Sequence, residues 1–212
     1  MTPPPERGRL LVLAGPSGVG KSSVVAELRR LAAPVWFSVS ATTRGARPGE
    51  VDGRDYHFVS DAEFDRMVAA DEMLEWAVIH GGMHRSGTLA APVEAHLAKG
   101  EPVLLELDLA GARAVRRRRP DARFVFLEPP SWEVLVSRLV GRGTESREVI
   151  EKRLATAREE LDARREFDVT VVNHDVRESA RRLVELSIGP LPDSDGHPGT
   201  VRAATHTAGA SE

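Results

Sequence analysis

The eight residues GPSGVGKS, Gly15–Ser22, decide how this chain folds. They match the pattern G-x-x-x-x-G-K-[ST] at every fixed position, follow the apolar run LLVLA directly and lead into the helical sequence SSVVAELRRL. The glycines allow successive N–H groups to point into one concavity at a helix N-terminus, where the partial positive charge of the helix also lies. The stretch predicts a strand–loop–helix unit that holds the phosphates of a nucleoside triphosphate. A glycine-rich turn without a ligand is the alternative.

Two side chains of this phosphate loop have predicted roles. Lys21 would reach the β- and γ-phosphates, and the Ser22 hydroxyl would ligate Mg²⁺. The candidate triphosphate-binding residues of the loop are Gly15, Ser17, Gly18, Gly20, Lys21, Ser22 and Ser23.

Around the loop, short apolar runs alternate with stretches of helical spacing. Four runs predict buried strands: Leu10–Ala14, Val103–Leu109, Arg123–Leu127 and Val169–Val172. Repeated strand-then-helix order predicts an α/β fold with a parallel sheet, helices on both faces and ligands at the carboxyl ends of the strands. Residues 38–88 break this rhythm with polar, turn-rich sequence and predict an inserted lobe.

Length and composition limit the remaining possibilities. The 212 residues carry 29 Lys and Arg against 32 Asp and Glu, so the net charge of −3 provides no global basic field for nucleic acid or an anionic membrane. The chain has no cysteine, which excludes disulfides and thiolate metal sites. No apolar run is long enough to span a membrane, so we expect a soluble, cytoplasmic protein with one domain at about residues 9–188. Residues 1–8 and 189–212 are predicted to be disordered.

A second anion site is indicated by VSATTRGARPGE, residues 39–50. Arg44 and Arg47 can direct two guanidinium groups at one anion, and the planar fork of arginine binds phosphate in bidentate fashion. Tyr56 follows and could add a hydroxyl. A kinase needs such a second site for its acceptor, whereas a hydrolase needs a group that positions water. The alternative is an exposed loop with two solvated arginines.

Four segments of the chain resemble the guanylate kinases: GPSGVGKSS (15–23), VSATTRGARPGEVDGRDYHF (39–58), EMLEWA (72–77) and SGT (86–88). The similarity extends in order over about residues 9–188. It implies a three-layer P-loop core, a mixed α+β GMP-binding lobe at residues 38–88 and a short lid at residues 141–153. It also implies Mg²⁺-dependent transfer of the ATP γ-phosphoryl group to GMP or dGMP, with Arg44, Arg47 and Tyr56 on the acceptor phosphate. The implied catalytic residues are Lys21, Arg44, Arg142 and Arg153.

The same resemblance implies how guanine is selected. Glu75 corresponds to the family's guanine-reading glutamate, and Ser40 and Thr88 match positions where hydroxyls contact the base. Guanine offers N1–H and its 2-amino group side by side, whereas adenine has a lone pair at N1 and no 2-amino group. A carboxylate therefore favours guanine. Without the family, Glu75 could equally be a solvated glutamate on an amphipathic helix.

The chain departs from the family just before the SGT segment. The family commonly has a pair of tyrosines there, whereas this sequence reads HGGMHRSGT (80–88) and is slightly longer. Ser86, Arg85 and His84 are candidates to replace the missing tyrosine hydroxyl. His80 and His84 are spaced for one helix face, but the intervening glycines argue against a helix that would present both to zinc.

Two carboxylates mark the end of another predicted strand. In VLLELDLAGA (103–112), Glu106 and Asp108 would alternate on one strand face and repel each other unless Mg²⁺ or Lys21 lies near. The family pattern is D-x-D-x-x-G, so Glu106 stands where aspartate is usual, and the resemblance places both residues near the acceptor. Whether Glu106 reaches Mg²⁺ through water or orients GMP stays open. A charged pair on an edge strand is the alternative.

Three arginines stand at family positions around the lid sequence SRLVGRGTESREVIEKRL (137–154): Arg138, Arg142 and Arg153. Arginines supplied by a closing segment can stabilise the charge that phosphoryl transfer spreads over the equatorial oxygens. Arg138 and Asn173 are implied to contact ATP, and Asn173 corresponds to a position at the adenine. The run RRRR (116–119) predicts a solvated helix end rather than a nucleic-acid patch.

Two other functions remain compatible with the sequence. One is a non-catalytic guanylate-kinase-like module that binds proteins, although such modules typically lack the complete phosphate loop. The other is a P-loop kinase for a different phosphorylated acceptor, against which Glu75 argues. Turnover of ATP with GMP, AMP and dGMP would distinguish these functions.

Overall fold

A computed structural model describes residues 6–31, 33–79, 83–140, 147–189 and 200–201 of the chain. In chain order the elements are β1 (Leu10–Ala14), α1 (Lys21–Arg30), β2 (Trp36–Phe37), β3 (Ala41–Thr42), β4 (His57–Phe58), α2 (Asp61–Ala69), β5 (Met73–Ile79), β6 (His84–Leu89), α3 (Ala90–Ala98), β7 (Val103–Glu106), α4 (Leu109–Arg118), β8 (Arg123–Glu128), α5 (Trp132–Val140), α6 (Arg147–Asp162), β9 (Val169–Val172), α7 (Val176–Ile188) and β10 (Thr200–Val201). A 3-10 helix at Ala163–Glu166 follows α6.

A parallel sheet of six strands forms the centre, in the order β10-β9-β8-β1-β7-β2. β1 lies between β7 and β8, and Leu13 is in register with Glu106 on one side and Val125 on the other. The four strands expected from apolar runs are confirmed, although β7 ends at Glu106 and not at Leu109. Because β1 is central, the phosphate loop emerges at the middle of the carboxyl edge of the sheet.

Helices cover both faces of this sheet because the side chains of β1 alternate between the faces. One face buries, among others, Leu10, Val12, Ala14, Val93, Leu97 and Val115. The other face buries, among others, Leu11, Leu13, Val24, Leu28, Leu183 and Leu186. The helical members of the first cluster come from α3 and α4, and those of the second come from α1 and α7. The result is the three-layer α/β architecture that the sequence predicts.

A second, smaller sheet lies within residues 41–89 and has the order β4-β3-β6-β5. β3 is parallel to β4 and antiparallel to β6, and β5 is antiparallel to β6, so the sheet is mixed. Phe64 of α2 packs against Met73 of β5. The hydroxyl of Ser60 caps α2 by accepting from the N–H of Glu63 at 3.1 Å. These elements fall in the segment for which the sequence predicts an inserted lobe.

The arginine run at residues 116–119 lies at the C-terminal end of α4, with Arg117 and Arg118 exposed, but it also makes contacts that the sequence does not predict. Arg116 pairs with Asp168 at 3.2 Å, and Arg118 donates to the carbonyl of Met73 at 2.9 Å. These contacts brace the C-terminal end of α4 against the strands beside it. The partners are distant in sequence, so a local charge pattern cannot reveal them.

Residues near both ends of the chain contact the central sheet or its helices. The N–H of Gly8 donates to the carbonyl of Leu97 at 2.8 Å, and Thr200–Val201 pairs in parallel with β9. Structure therefore extends at these positions beyond the predicted limits of residues 9 and 188, and most other terminal residues lie outside the described ones. Among the described helices, none has the length and apolar character needed to cross a membrane.

Candidate active site

The phosphate loop joins β1 to α1 through three glycines in conformations that L side chains rarely adopt. Gly15, Gly18 and Gly20 have φ angles of 153°, 80° and 101°. Gly20 is the N-cap of α1, so the helix begins at Lys21. A Cβ at Gly15 would lie 2.3 Å from the carbonyl oxygen of Leu127. The course of the loop therefore depends on residues without side chains.

Replacing Gly15 by alanine is expected to lower the free energy of unfolding by about 3 kcal/mol, because the added Cβ meets rigid backbone at an unfavourable φ. Gly45→Ala is the matched control, since a Cβ there meets open space, and a change within about 0.5 kcal/mol is expected. Urea unfolding of both variants measures the difference. Equal stability of the two variants would contradict this account of Gly15.

Lys21 begins α1 and lies inside the loop. Its Nζ donates to the carbonyl oxygens of Gly15 at 2.7 Å and Pro16 at 3.3 Å. Burial lowers the pKa of the Lys21 ammonium, and nearby carboxylates, chiefly Glu106, oppose that shift. The Lys21 ammonium therefore lies where it could contact phosphates bound by the loop.

A cavity of about 600 Å³ opens beside the loop. Its lining residues are Ser17, Gly18, Gly20, Lys21, Ser22, Ser23, Glu106, Arg138, Asn173 and Val176. All of these except Val176 are residues that the sequence assigns to the triphosphate, the metal or the acidic strand end. The structure therefore brings predicted residues from β7, α5 and the β9–α7 connection together around the phosphate loop.

Arg138 and Asn173 are both hydrogen-bonded to the backbone of the phosphate loop at Val19. The carbonyl oxygen of Val19 accepts hydrogen bonds from Arg138 Nη1 at 3.0 Å and from Asn173 Nδ2 at 2.9 Å. Asn173 Oδ1 in turn accepts from the Ser179 hydroxyl at 3.0 Å, and Asn173 is buried. Both residues line the cavity, and both also fix the loop backbone, which the sequence does not predict.

The two acidic residues after Leu105 do not share one strand face, contrary to the prediction. β7 ends at Glu106, whose Oε1 accepts from the Ser22 hydroxyl at 2.8 Å. Asp108 is the N-cap of α4 and accepts from the N–H of Gly111 at 2.7 Å. The strand stops here because a capping aspartate begins the next helix.

Glu75 and Thr88 form a buried polar pair in the second sheet. They are opposite each other in the antiparallel register of β5 and β6, and the Thr88 hydroxyl donates to Glu75 Oε1 at 2.7 Å. Burial raises the pKa of Glu75, hydrogen bonds from Thr88 oppose the shift, and the charge of Asp108 adds to it. Glu75 lies on a strand and is 7% exposed, which rules out the solvated helical glutamate.

The segment from Glu106 to Asp108 links the phosphate loop to this buried pair. A Cβ placed on Gly111 would lie 3.2 Å from Asp108 Oδ1 and 3.2 Å from Glu75 Oε2, so the two carboxylates flank the same glycine. At the other end of the segment, Glu106 contacts Ser22 of the loop. One short connection therefore has the cavity beside the phosphate loop at one end and the surroundings of the buried glutamate at the other.

The predicted phosphate arginines lie on the loop after β3. Arg44 makes a bidentate ion pair with Glu50, at 2.8 and 2.9 Å, and its guanidinium lies 5.1 Å from the centroid of the Tyr56 ring. Hydrogen bonds from Arg44 and from the N–H of Arg47 lower the pKa of Glu50. The Arg47 side chain is exposed. Arg44 and Tyr56 are thus adjacent, and Glu50, which the sequence does not indicate, orients Arg44.

The residues considered as replacements for the missing tyrosine have different surroundings. Arg85 pairs with Asp61 at 2.8 Å and with Asp65, so its guanidinium is directed to α2. The Ser86 hydroxyl donates to the carbonyl of Ala41 at 3.2 Å. The backbone of Arg85 is hydrogen-bonded to Thr43, just before Arg44, because the N–H of Thr43 donates to the Arg85 carbonyl at 3.0 Å, whereas Ser86 is in register with Thr42.

Other predicted residues lie around these two groups. Ser40 is half-buried just before β3, and His84 begins β6. Arg153 is half-buried on α6. Arg142 and His80 lie outside the described residues. Within the described part of the chain, no group of three or more His, Cys, Asp or Glu side chains could hold a metal ion.

Glu160 of α6 is a contact of the phosphate loop that the sequence does not indicate. Its Oε2 accepts a hydrogen bond from the N–H of Ser17 at 3.0 Å, across 143 positions of sequence. The local sequence of α6 contains several similar carboxylates, so only tertiary packing distinguishes this one.

Comparison with known proteins agrees with this geometry. The family model named guanylate kinase matches residues 7–187. A guanylate kinase from Rhodococcus jostii is 63% identical over 189 residues, covering 89% of this chain and 91% of the relative, and one from Thermobifida fusca is 62% identical over 182 residues, covering 86% and 92%. A crystal structure of guanylate kinase from Anaplasma phagocytophilum matches with a TM-score of 0.68 at 32% identity, covering 86% of this chain and 85% of that one. The chain therefore belongs to the guanylate kinase family.

Proposed function

We propose that the chain is an ATP:GMP phosphotransferase of purine nucleotide metabolism. The observation that supports it best is the short connection after β7. Its residue Glu106 contacts Ser22 of the phosphate loop, and its residue Asp108 flanks the same glycine as Glu75. A triphosphate held by the loop and an acceptor whose base is held at Glu75 would therefore lie on either side of this connection, which would bring the acceptor phosphate towards the triphosphate.

Glu75 supports guanine as the acceptor base. Thr88 donates to its Oε1, while Oε2 lies beside Gly111. The N1–H and 2-amino donors of guanine would favour the ionised carboxylate and offset the effect of burial on the pKa of Glu75. Adenine would present a lone pair to a desolvated carboxylate, which is the arrangement that costs binding energy most strongly.

The acceptor phosphate would lie at Arg44, with Arg47 and Tyr56 as further donors. Arg44 is held over the Tyr56 ring and is oriented by Glu50, so its fork is positioned before a phosphate arrives. The phosphate would share or replace the bond to Glu50. Ser40, next to β3, would contact the base from the same side.

Phosphoryl transfer requires no nucleophilic side chain, because a phosphate oxygen of GMP supplies the attacking atom. Lys21 and the loop N–H groups would stabilise the charge on the transferring group. Arg138 and Arg153 would add positive charge, as would Arg142 by the family resemblance. The role of Asn173 at adenine would be combined with its hydrogen bond to the loop.

The residues beside Lys21 fit a magnesium ion bound to a nucleotide. Ser22 and Glu106 offer a hydroxyl and a carboxylate oxygen that lie 2.8 Å apart. Hard oxygen ligands suit Mg²⁺, which usually takes one or two protein ligands and completes its shell with phosphates and water. When bound, the ion supplies charge neutralisation along the phosphates. Ser22 would ligate it directly, and Glu106 directly or through water.

Steady-state ADP formation from ATP, with GMP, dGMP or AMP as acceptor, tests the proposal. We expect turnover with GMP and dGMP and a kcat/KM for AMP that is lower by about 10³-fold or more. A folded sample that binds ATP but does not phosphorylate GMP would indicate the non-catalytic module. Turnover of a different phosphorylated acceptor alone would indicate another P-loop kinase.

A further inference from the structure

A carboxylate already accepts a hydrogen bond from the phosphate loop. Oε2 of Glu160, on α6, lies 3.0 Å from the backbone nitrogen of Ser17. Ser17 belongs to the loop GPSGVGKS and lines the cavity beside it, where backbone N–H groups at the start of a helix suit phosphate oxygens. Glu160 therefore accepts a hydrogen bond from a backbone N–H that belongs to the phosphate loop.

The negative charge of Glu160 also acts on Lys21. Together with Glu106 and Asp108, it opposes the lowering of the Lys21 pKa by burial. Glu106 has a separate role through its contact with Ser22, and Asp108 caps α4. Glu160, by contrast, accepts from a backbone N–H of the loop, and two anions at one site repel each other.

We propose that Glu160 competes with the triphosphate for the phosphate loop and thereby sets the affinity of the enzyme for ATP. Its carboxylate and a phosphate oxygen compete for the Ser17 N–H, so nucleotide binding must displace the Glu160 side chain. The inference rests on the proposed function, because it takes ATP to be the ligand of this loop.

A pair of adjacent substitutions isolates the effect of the charge. Glu160→Gln keeps the shape and an oxygen acceptor for Ser17 but removes the negative charge. Glu159→Gln removes the same charge from the same helix at an exposed position and serves as the matched control. Calorimetric titration of the full-length proteins with ATP, and separately with inorganic tripolyphosphate, measures affinity without GMP.

We expect Glu160→Gln to bind both ligands more tightly, on the order of tenfold, because a screened and partly exposed charge near the phosphates is removed. Glu159→Gln should remain within about twofold of wild type. The gain in Glu160→Gln should shrink as salt is raised, since screening weakens repulsion. A purely structural role for Glu160 would not produce this dependence on salt.

The outcomes separate this inference from the proposed function. If the wild-type protein binds ATP and Glu160→Gln binds ATP equally or more weakly, the proposed competition is wrong, but the kinase proposal is unaffected. Equal gains in both glutamine variants would also overturn the competition, because they would reflect net charge alone. Wild-type protein that binds neither ATP nor tripolyphosphate overturns both. Thermal unfolding of each variant shows whether the titrated protein is folded. Glu160→Ala, which lacks both the charge and the acceptor oxygen, should also bind ATP more tightly than wild type.

Discussion

Replacing Lys21 by methionine is expected to reduce kcat for GMP phosphorylation by about 10³-fold or more. The Nζ of Lys21 donates to the carbonyls of Gly15 and Pro16 at the N-terminus of α1, and Lys21 lines the cavity beside the loop. Removing its charge would leave the developing charge of the transition state without the cation of the phosphate loop. Steady-state kinetics with saturating ATP and GMP measures the loss.

The same variant should remain folded. Burial lowers the pKa of Lys21, which means that the site disfavours the charged form, and methionine fills a similar volume without a charge. Lys99→Met is the control, because Lys99 is exposed at the end of α3 and should leave kcat within about twofold of wild type. A Lys21→Met enzyme that retained a tenth of the wild-type kcat would refute the assigned role.

Glu75→Gln is expected to reduce the preference for GMP over AMP, measured as the ratio of kcat/KM values, by about 10²-fold or more. The glutamine amide can accept one hydrogen bond from guanine but presents its own donor to the other guanine donor. Glu72→Gln is the control, since Glu72 is 42% exposed and pairs with Arg66 outside the buried pair. An unchanged preference in Glu75→Gln would contradict the assignment of the base-reading residue.

The pH dependence of stability should differ between wild type and Glu75→Gln. The pKa of Glu75 is raised above its ordinary value of 4.5, so the folded state favours the protonated carboxyl. The contribution of Glu75 to stability is therefore complete below pH 4.5 and is lost as pH rises through the raised pKa. Urea unfolding at pH 5 and pH 8 should show Glu75→Gln gaining relative to wild type at the higher pH. A relative loss there would show that the ionised carboxylate stabilises the fold.

Much of the central sheet could be predicted because buried parallel strands are continuous apolar runs. β1 and β9 have the predicted bounds. The end of β7 could not be predicted, because Leu107 and Leu109 continue the apolar run while Asp108 is committed to capping α4. The local apolar pattern therefore predicts the strand, but whether Asp108 extends the strand or caps the helix depends on tertiary structure.

The candidate site could be predicted where its residues are contiguous in sequence. The phosphate loop is one such stretch, and the structure places most of its residues around one cavity. Glu75 required the family resemblance, because its short apolar surroundings suit a helix or a strand. Glu50 and Glu160 could not be predicted, since their roles depend on which backbone amide or guanidinium the fold brings to them.

The short connection from Glu106 to Asp108 has a consequence for protein engineering. Because it belongs to the central sheet and α4, its two carboxylates are a property of the scaffold, whereas Glu75 and Arg44 belong to residues 41–89. A different acceptor module grafted between β2 and α3 would therefore still meet Glu106 and Asp108. To obtain new acceptor chemistry, the grafted module would have to place its own acceptor beside this connection, while β1, the phosphate loop and α1 are left unchanged.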